Sequence, residues 1–285
     1  MKELIIIDAH THTFPDKIAE RAVDQLSHTS HTIPFSDGRE KGLIASMKRD
    51  GIDRSIILPV ATNPHQVEKI NDASVLLNCH YRGQLMSLGC MHPDFKDYKG
   101  ELARIKEMGL KGIKIHPVYQ DADLDGDRFL PILKEAARLN LIVVTHGGLD
   151  IGFPGVVRCS PQMARHVIDE IGSFPFVVAH MGGWRNWDEA ASLLKGTGVY
   201  IDTAFSHEQF YPLDDGYWKE DETKMLSDQE MVTLIHQFGA DHVLFGSDSP
   251  WSSQKKSREG IERLDLTFDE KRLILGENAK ELFEW

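Results

Sequence analysis

The chain has 285 residues, 41% of them hydrophobic, and a formal net charge of −12 at pH 7, the balance of a water-soluble protein with a developed core. The acidic excess argues against nucleic acid or an anionic membrane as partner; no apolar stretch approaches the roughly 18–20 residues that span a bilayer, and the start lacks the basic region of a secretory signal. Cys79, Cys90 and Cys159 are odd in number and form no CxxC pair, so neither a disulfide scaffold nor a cysteine zinc site is indicated and a reducing cytoplasm is the expected compartment.

The run Leu4-Ile5-Ile6-Ile7 predicts a strand near 4–10 that delivers Asp8-Ala9-His10-Thr11-His12. Residues two apart in a strand share a face, so His10 and His12 leave the same side of one rigid element. Residues 13–38 are expected to be irregular. A helix near 39–50, a strand near 55–60, a helix near 64–80 and a strand near 85–91 follow. Helices near 97–108, 128–139, 160–171, 186–195 and 227–238 then alternate with strands near 110–116, 141–146, 176–180, 199–203 and 242–247, and a last helix covers 268–284. Asn63 before Pro64 and Ser160 before Pro161 are capping residues followed by proline, the expected opening of a helix. Gly51, Gly109, Gly172 and Gly239 sit between a helix and the next strand, where a left-handed residue ends a helix. Residues 206–225 mix acids with Phe210, Tyr211, Tyr217 and Trp218 and exceed the usual length of such a connection. With 13–38 they are expected to wall or cover a pocket.

Near-continuous apolar strands suit a parallel sheet covered by helices. Eight of them alternating with helices is the arithmetic of an α/β fold of the (β/α)8 TIM barrel type, here as a single domain over 1–285. A doubly wound open sheet is the structural alternative. The barrel is favoured because reactive residues end strands from the first to the eighth, and an open sheet cannot bring its edge strands together.

Those ends carry the chemistry: Ile113-Lys114-Ile115-His116, Val144-Thr145-His146, Val178-Ala179-His180 and Gly246-Ser247-Asp248. Imidazole and carboxylate together suit zinc and other first-row divalent ions, and a catalytic site keeps a position open for water. His10, His12, His146 and Asp248 would supply three neutral nitrogens and one anion. Water on such an ion loses a proton near neutral pH.

With these motifs, and with Gly112-Ile113-Lys114-Ile115-His116-Pro117, Ala179-His180-Met181-Gly182-Gly183-Trp184, Phe245-Gly246-Ser247-Asp248-Ser249-Pro250-Trp251 and the closing Gly276-Glu277-Asn278-Ala279, the sequence resembles the amidohydrolase superfamily. The likeness is to its amidohydrolase-related branch, which contains aminocarboxymuconate semialdehyde decarboxylase, and it spans almost the whole chain. It implies that His10, His12, His146 and Asp248 hold the metal. It also implies that His180 stays off the metal and orients or deprotonates the attacking water, and that Asp248 shuttles a proton. The implied cofactor is one zinc, with manganese as an alternative. Two-metal relatives carboxylate a lysine on strand four, so Lys114 either bridges a second metal or stays cationic and binds a substrate carboxylate or carbonyl. His116 either contacts substrate or is hydrogen-bonded beneath the pocket.

Glycine pairs after His146 and His180 allow sharp turns and close backbone approach. Trp184 at a helix start, Arg185 and Trp251 are further substrate candidates, Arg185 through the two-pronged contact of guanidinium with carboxylate. Arg158 is read as a surface residue; His92 and His207 are weak pocket candidates, and the other histidines carry no role. The first functional expectation is a hydrolase using metal-activated water on an amide, ester or lactone of a small carboxylated substrate. The second is a metal-dependent non-oxidative decarboxylase of the aminocarboxymuconate semialdehyde decarboxylase type. A hydratase is a minor variant, and a non-catalytic barrel is disfavoured because no ligand is missing. The expected partner is a small-molecule substrate, without nucleic acid or membrane; a homodimer is what relatives imply.

Overall fold

The computed structural model describes residues 4–285. Its strands, in chain order, are β1 (Ile7–Thr11), β2 (Arg54–Ile57), β3 in two pieces (Leu85–Ser87 and Gly89–Cys90), β4 (Gly112–Ile115), β5 (Ile142–Thr145), β6 (Phe176–Val178), β7 (Tyr200–Asp202) and β8 (Val243–Leu244). Every neighbouring pair within the two ladders is parallel. Backbone bonds join the ladders into a ring: Ala9 N donates to Phe245 O at 2.8 Å and Asp248 N to His10 O at 2.8 Å. At the break in β3, Leu88 N still donates to Ile57 O at 3.0 Å. The result is the TIM barrel that the strand count predicts.

Alternation along each strand divides the core in two. Ile7, Ala9, Ile56, Leu58, Val144, Val177 and Leu244 fill the barrel, closed from below by Ala279 and Phe283 of the C-terminal helices. Ile57, Ile113, Ile115, Val143, Val178, Ile201 and Val243 face outward against the helices. The outer helices include α2 (Glu40–Asp50), α3 (Val67–His80), α4 (Tyr98–Glu107), α5 (Leu130–Arg138), α6 (Pro161–Ile171), α7 (Trp187–Leu194) and α8 (Asp228–Phe238), close to their predicted spans. None of the described helices is long and apolar enough to cross a membrane.

Three departures from the sequence reading have physical causes. Residues 13–38 are not wholly irregular: α1 (Ala19–Ser30) buries Ala19, Val23, Ser27 and Ser30 on one face, a stripe too short and small in side chain to register as an apolar period. A further helix, α9 (Gln254–Arg263), buries only Gln254, Gly260 and Ile261, so a single apolar residue marked it. The last predicted helix is broken into α10 (Phe268–Arg272), a π-helical turn over Leu273–Glu277 and α11 (Asn278–Leu282). In that turn Gly276 passes so close to the residues leading into β1 that a Cβ would lie 2.1 Å from Ile5 O.

The feature that positions the site is a bulge in β1. Asp8 pairs with Ser55 but Thr11 with Ile57, so three steps on β1 oppose two on β2. A bulge re-aims side chains along its strand. Asp8 accordingly points outward, accepting from Ser247 N, Ser247 Oγ and Gln254 Nε2 at 2.6–2.9 Å, while His10 points into the barrel mouth.

Candidate metal centre

Three side chains from the end of β1 and the loop after β8 converge. His10 Nε2 and His12 Nε2 are 3.2 Å apart, and Asp248 Oδ1 is 3.4 Å from the first and 3.1 Å from the second. Each imidazole is anchored from behind. His10 Nδ1 lies 2.8 Å from Asp202 Oδ2 at the end of β7, and His12 Nδ1 lies 2.9 Å from Leu58 O. A carbonyl or carboxylate oxygen only accepts, so both Nδ1 atoms carry the proton and both Nε2 atoms are bare. Two lone pairs and a carboxylate oxygen therefore face one point, an arrangement that repels itself unless a cation sits there. Metal–nitrogen bonds of about 2.0–2.1 Å place neighbouring ligands about 3.0–3.4 Å apart, which is the spacing seen. The residues fit a divalent ion on the chemistry of the donor set.

Asp202 orients this group. Its Oδ2 holds His10, and its Oδ1 accepts from His180 N at 2.9 Å and Ala204 N at 3.1 Å. The sequence reading ended a strand at 203 but assigned Asp202 no role. The signal was present, because Val199-Tyr200-Ile201-Asp202 is another apolar run closed by an acid.

His146 and His180 stand beside the trio. His180 Nδ1 donates to Ala204 O at 2.9 Å and His146 Nε2 to Leu149 O at 3.0 Å. Their remaining nitrogens, again bare, meet at 3.0 Å. The His180 ring centroid is 5.1 Å from that of His10. His146 thus turns its free nitrogen toward His180, and the contact with Asp248 found for His10 and His12 is not among its interactions. His180 (φ 61°), Met181 (φ 55°) and Asp248 (φ 68°) hold left-handed backbone conformations, and such strain concentrates at functional sites. Gly148 is required for a related reason: a Cβ there would lie 2.2 Å from Trp184 N.

Lys114 is 1% exposed in the barrel interior. Burial lowers its ammonium to about 8, against the pull of Asp202 and Asp248. Burial, then the charge of Lys114, brings His10 down to about 4, which keeps it a neutral ligand at pH 7. Burial alone would raise Asp248, but the closeness of His12, then of His10 and His180, holds it well below the usual carboxylate range.

A second group lies on the β4 and β5 side. His116 Nε2 is 3.5 Å and His146 Nε2 3.8 Å from Asp150 Oδ2. The two rings are stacked, with centroids 4.3 Å apart and planes 18° from parallel. Lone pairs in parallel, offset planes cannot both aim at one ion, so this group is a poor cation site. Burial, then the Asp248 charge, pushes Asp150 up to about 7 against the hydrogen bond from Gly152 N. Burial lowers His116 and His146 well below the ordinary imidazole value, with neighbouring imidazoles and Lys114 adding to it. Asp150 was missed in the sequence because it sits in a loop, five residues past the end of β5.

The centre is covered. Ile33 N donates to Tyr211 O and Leu213 N to His31 O, both at 2.8 Å, and Trp218 Nε1 donates to His31 O at 3.2 Å. The segments 13–38 and 206–225 therefore interlock across the mouth, as expected of a lid. Phe210 and Met225 of the second segment form an apolar cap with Trp184 and Phe205, and Leu149, Trp218 and Trp251 pack against it. Trp184 and Trp251 are thus placed over the mouth. Arg185 is used differently from the substrate contact expected of it: its guanidinium donates to Asp221 O and Glu222 O, tying down the lid. Arg158 pairs with Asp121 and Asp123 at the surface. His92 Nδ1 accepts from Asp94 N, and His207 is engaged by Asp228 and Arg263; neither belongs to the metal group.

Comparison with known proteins agrees with this architecture. Among solved structures, an uncharacterised TIM-barrel protein from Bordetella bronchiseptica aligns over 99% of both chains at 15% identity and a TM-score of 0.78. The 5-carboxyvanillate decarboxylase of Novosphingobium aromaticivorans, solved with manganese and 4-hydroxy-3-methoxy-5-nitrobenzoic acid, aligns over 99% of this chain and 96% of its own at 16% identity, TM-score 0.71. A putative 2-pyrone-4,6-dicarboxylic acid hydrolase from Pseudomonas putida covers 99% and 98% at 19% identity, TM-score 0.67. No curated protein sequence matches the chain. At these identities the structures show the shared fold, and the family assignment comes from the sequence profile described as Amidohydrolase, which matches residues 7–285: the chain belongs to the amidohydrolase family and is an enzyme of that superfamily.

Proposed function

We propose that the protein is a metal-dependent hydrolase of a small carboxylated substrate, with one zinc as its ion. The observation that carries this reading is the bare Nε2 of His180, fixed by the Nδ1 bond to Ala204 O. It is a base ready to take a proton, whereas protonating a carbon would need the opposite state. His10, His12 and Asp248 hold the ion, with His146 as the fourth ligand. A divalent ion there supplies Lewis acidity and lowers the pKa of water. His180 accepts the proton of the attacking water, Asp248 carries a proton toward the leaving group, and Lys114 holds the substrate carboxylate. The lid and its apolar cap exclude bulk water.

Decarboxylation is a second reading, supported by a different observation. A buried cation, Lys114, beneath an apolar cap of aromatic side chains suits a planar carboxylated ring whose carboxylate is held out of water. The two readings share their substrates' chemistry and differ in the product. The test is a panel of lactones, esters and carboxylated rings offered to zinc- and manganese-loaded protein. Hydrolysis that is abolished by chelator and by His12→Ala, and lowered roughly 100-fold or more by His180→Ala, is the expected result. Carbon dioxide release without any hydrolysis overturns the first reading in favour of the second.

A further inference from the structure

We infer that Asp150 is a specificity-determining residue, whose free carboxylate oxygen accepts a hydrogen bond from a hydroxyl or amino group carried by the substrate. The inference rests on the proposed reading of the site as one for a small carboxylated molecule. Asp150 lies in the loop after β5 and is 7% exposed. Its Oδ1 is fixed by Gly152 N at 2.8 Å. That bond turns Oδ2 toward the histidine cluster, 3.5 Å from His116 Nε2 and 3.8 Å from His146 Nε2. These are ion-pair distances rather than hydrogen bonds. The proton of His146 Nε2 is committed to Leu149 O. His116 Nδ1 accepts from Tyr119 N, so its Nε2 proton points toward Oδ2 only across 3.5 Å, and among the described residues Oδ2 has no close side-chain donor.

A carboxylate oxygen this buried is costly to leave unsatisfied. The other acids of the mouth are provided for: Asp202 accepts from His10, His180 and Ala204, and Asp248 faces the point where His10 and His12 would share an ion with it. Asp150 is the acid left without a close side-chain partner, and it faces His146, the imidazole that it shares with the candidate reaction centre. Lys114 is the buried cation that suits the carboxylate of a ligand. A ligand bound there completes the site if it also brings an N–H or O–H group to Asp150 Oδ2. A group built to accept such a bond discriminates strongly against the analogue that lacks it.

Benzoate and its 2-, 3- and 4-hydroxy isomers are suitable probes, titrated calorimetrically into manganese-loaded protein. At least one hydroxy isomer should bind roughly 10–100-fold more tightly than benzoate, the worth of one hydrogen bond to a charged acceptor. Asp150→Ala should erase that preference while changing benzoate affinity little. Asp150→Asn keeps an oxygen for Gly152 N and serves as the second variant should the alanine protein fail to fold; it should lower the ratio at least several-fold. A general loss of structure would weaken all four ligands alike, so the ratio isolates the role. Equal binding of all four by the unaltered protein, or an unchanged ratio in both variants, overturns the inference while leaving the carboxylate reading intact. Failure of all four to bind overturns both.

Discussion

The two sides of the barrel mouth carry similar residues to different ends. On the β1, β7 and β8 side, His10 and His12 are each pinned by a rear acceptor, and their bare nitrogens meet Asp248 within 3.1–3.4 Å. On the β4 and β5 side, His116 and His146 lie stacked, and Asp150 stands 3.5–3.8 Å away. Both groups are two imidazoles and one carboxylate. Ring orientation, set by what holds the far nitrogen, makes the first a ligand cluster and the second a polar wall. Counting donor residues does not distinguish a metal site from its neighbour; the direction of each lone pair does.

The largest effect should come from removing a donor on the first side. His10→Ala or His12→Ala is expected to lower zinc affinity roughly 1,000-fold or more, since losing a ligand outweighs losing its support. His116→Ala should leave zinc affinity within about threefold of the original. Competition with a chromogenic chelator measures both. If His116→Ala weakens zinc as much as His12→Ala does, the contrast between the two sides is wrong.

The back of β1 offers a test that needs no metal. Asp8 is buried against Ser247 and Gln254, and burial pushes its carboxyl from 3.8 to about 6 despite the hydrogen bonds from Ser247, Gln254 and His10. A carboxyl raised in the folded state favours folding when protonated. Its contribution is fully present below about pH 4 and is lost as the pH rises through 6. Asp8→Asn stays neutral throughout, so its stability relative to the parent should climb by about 3 kcal/mol between those limits. Urea melts of metal-free protein at stepped pH measure the difference. A flat difference would mean that Asp8 stays charged within its ring of donors.

Much of the site was legible in the sequence alone. His10, His12, His146, His180 and Asp248 each close an apolar run, and a barrel gathers strand ends at one face. Asp202 obeys the same rule and was passed over because a lone acid after a strand also reads as a helix cap or surface group. The rest depended on geometry that no local pattern encodes. The bulge that sends Asp8 outward and His10 inward is a one-residue mismatch between β1 and β2. Asp150 reaches the site through a loop whose path is set by Gly148 passing against Trp184. Arg185 looked like a substrate group because sequence placed it beside the site, but its reach is taken up by the lid.

Asp202 sharpens the comparison more gently. It accepts from His10 Nδ1 and so keeps Nε2 bare. Asp202→Asn can present an amide N–H to the same nitrogen, which would move the proton to Nε2 and spoil the ligand. Zinc affinity should fall roughly 10–100-fold with the fold intact. Asp150→Asn, the same change on the opposite side, should alter it less than about threefold. Equal losses would make both acids general electrostatic supports.

The smallest effect belongs to the lid above both sides. Arg185 donates to Asp221 O and Glu222 O and also lies over the Trp184 ring, its guanidinium carbon 5.2 Å from the centroid. Arg185→Ala removes two hydrogen bonds to a half-exposed segment, a loss of about 1 kcal/mol or less in global stability. Locally the loss matters more, because the segment's other ties to the first loop are concentrated at His31 and Ile33. Amide exchange over 206–225 should quicken several-fold while exchange in β1 and β8 stays unchanged. That outcome would separate the cover from the metal cluster as an independently opening unit. Faster exchange in the strands as well would mean that lid and ligands open together, and that substrate entry disturbs the metal site each time.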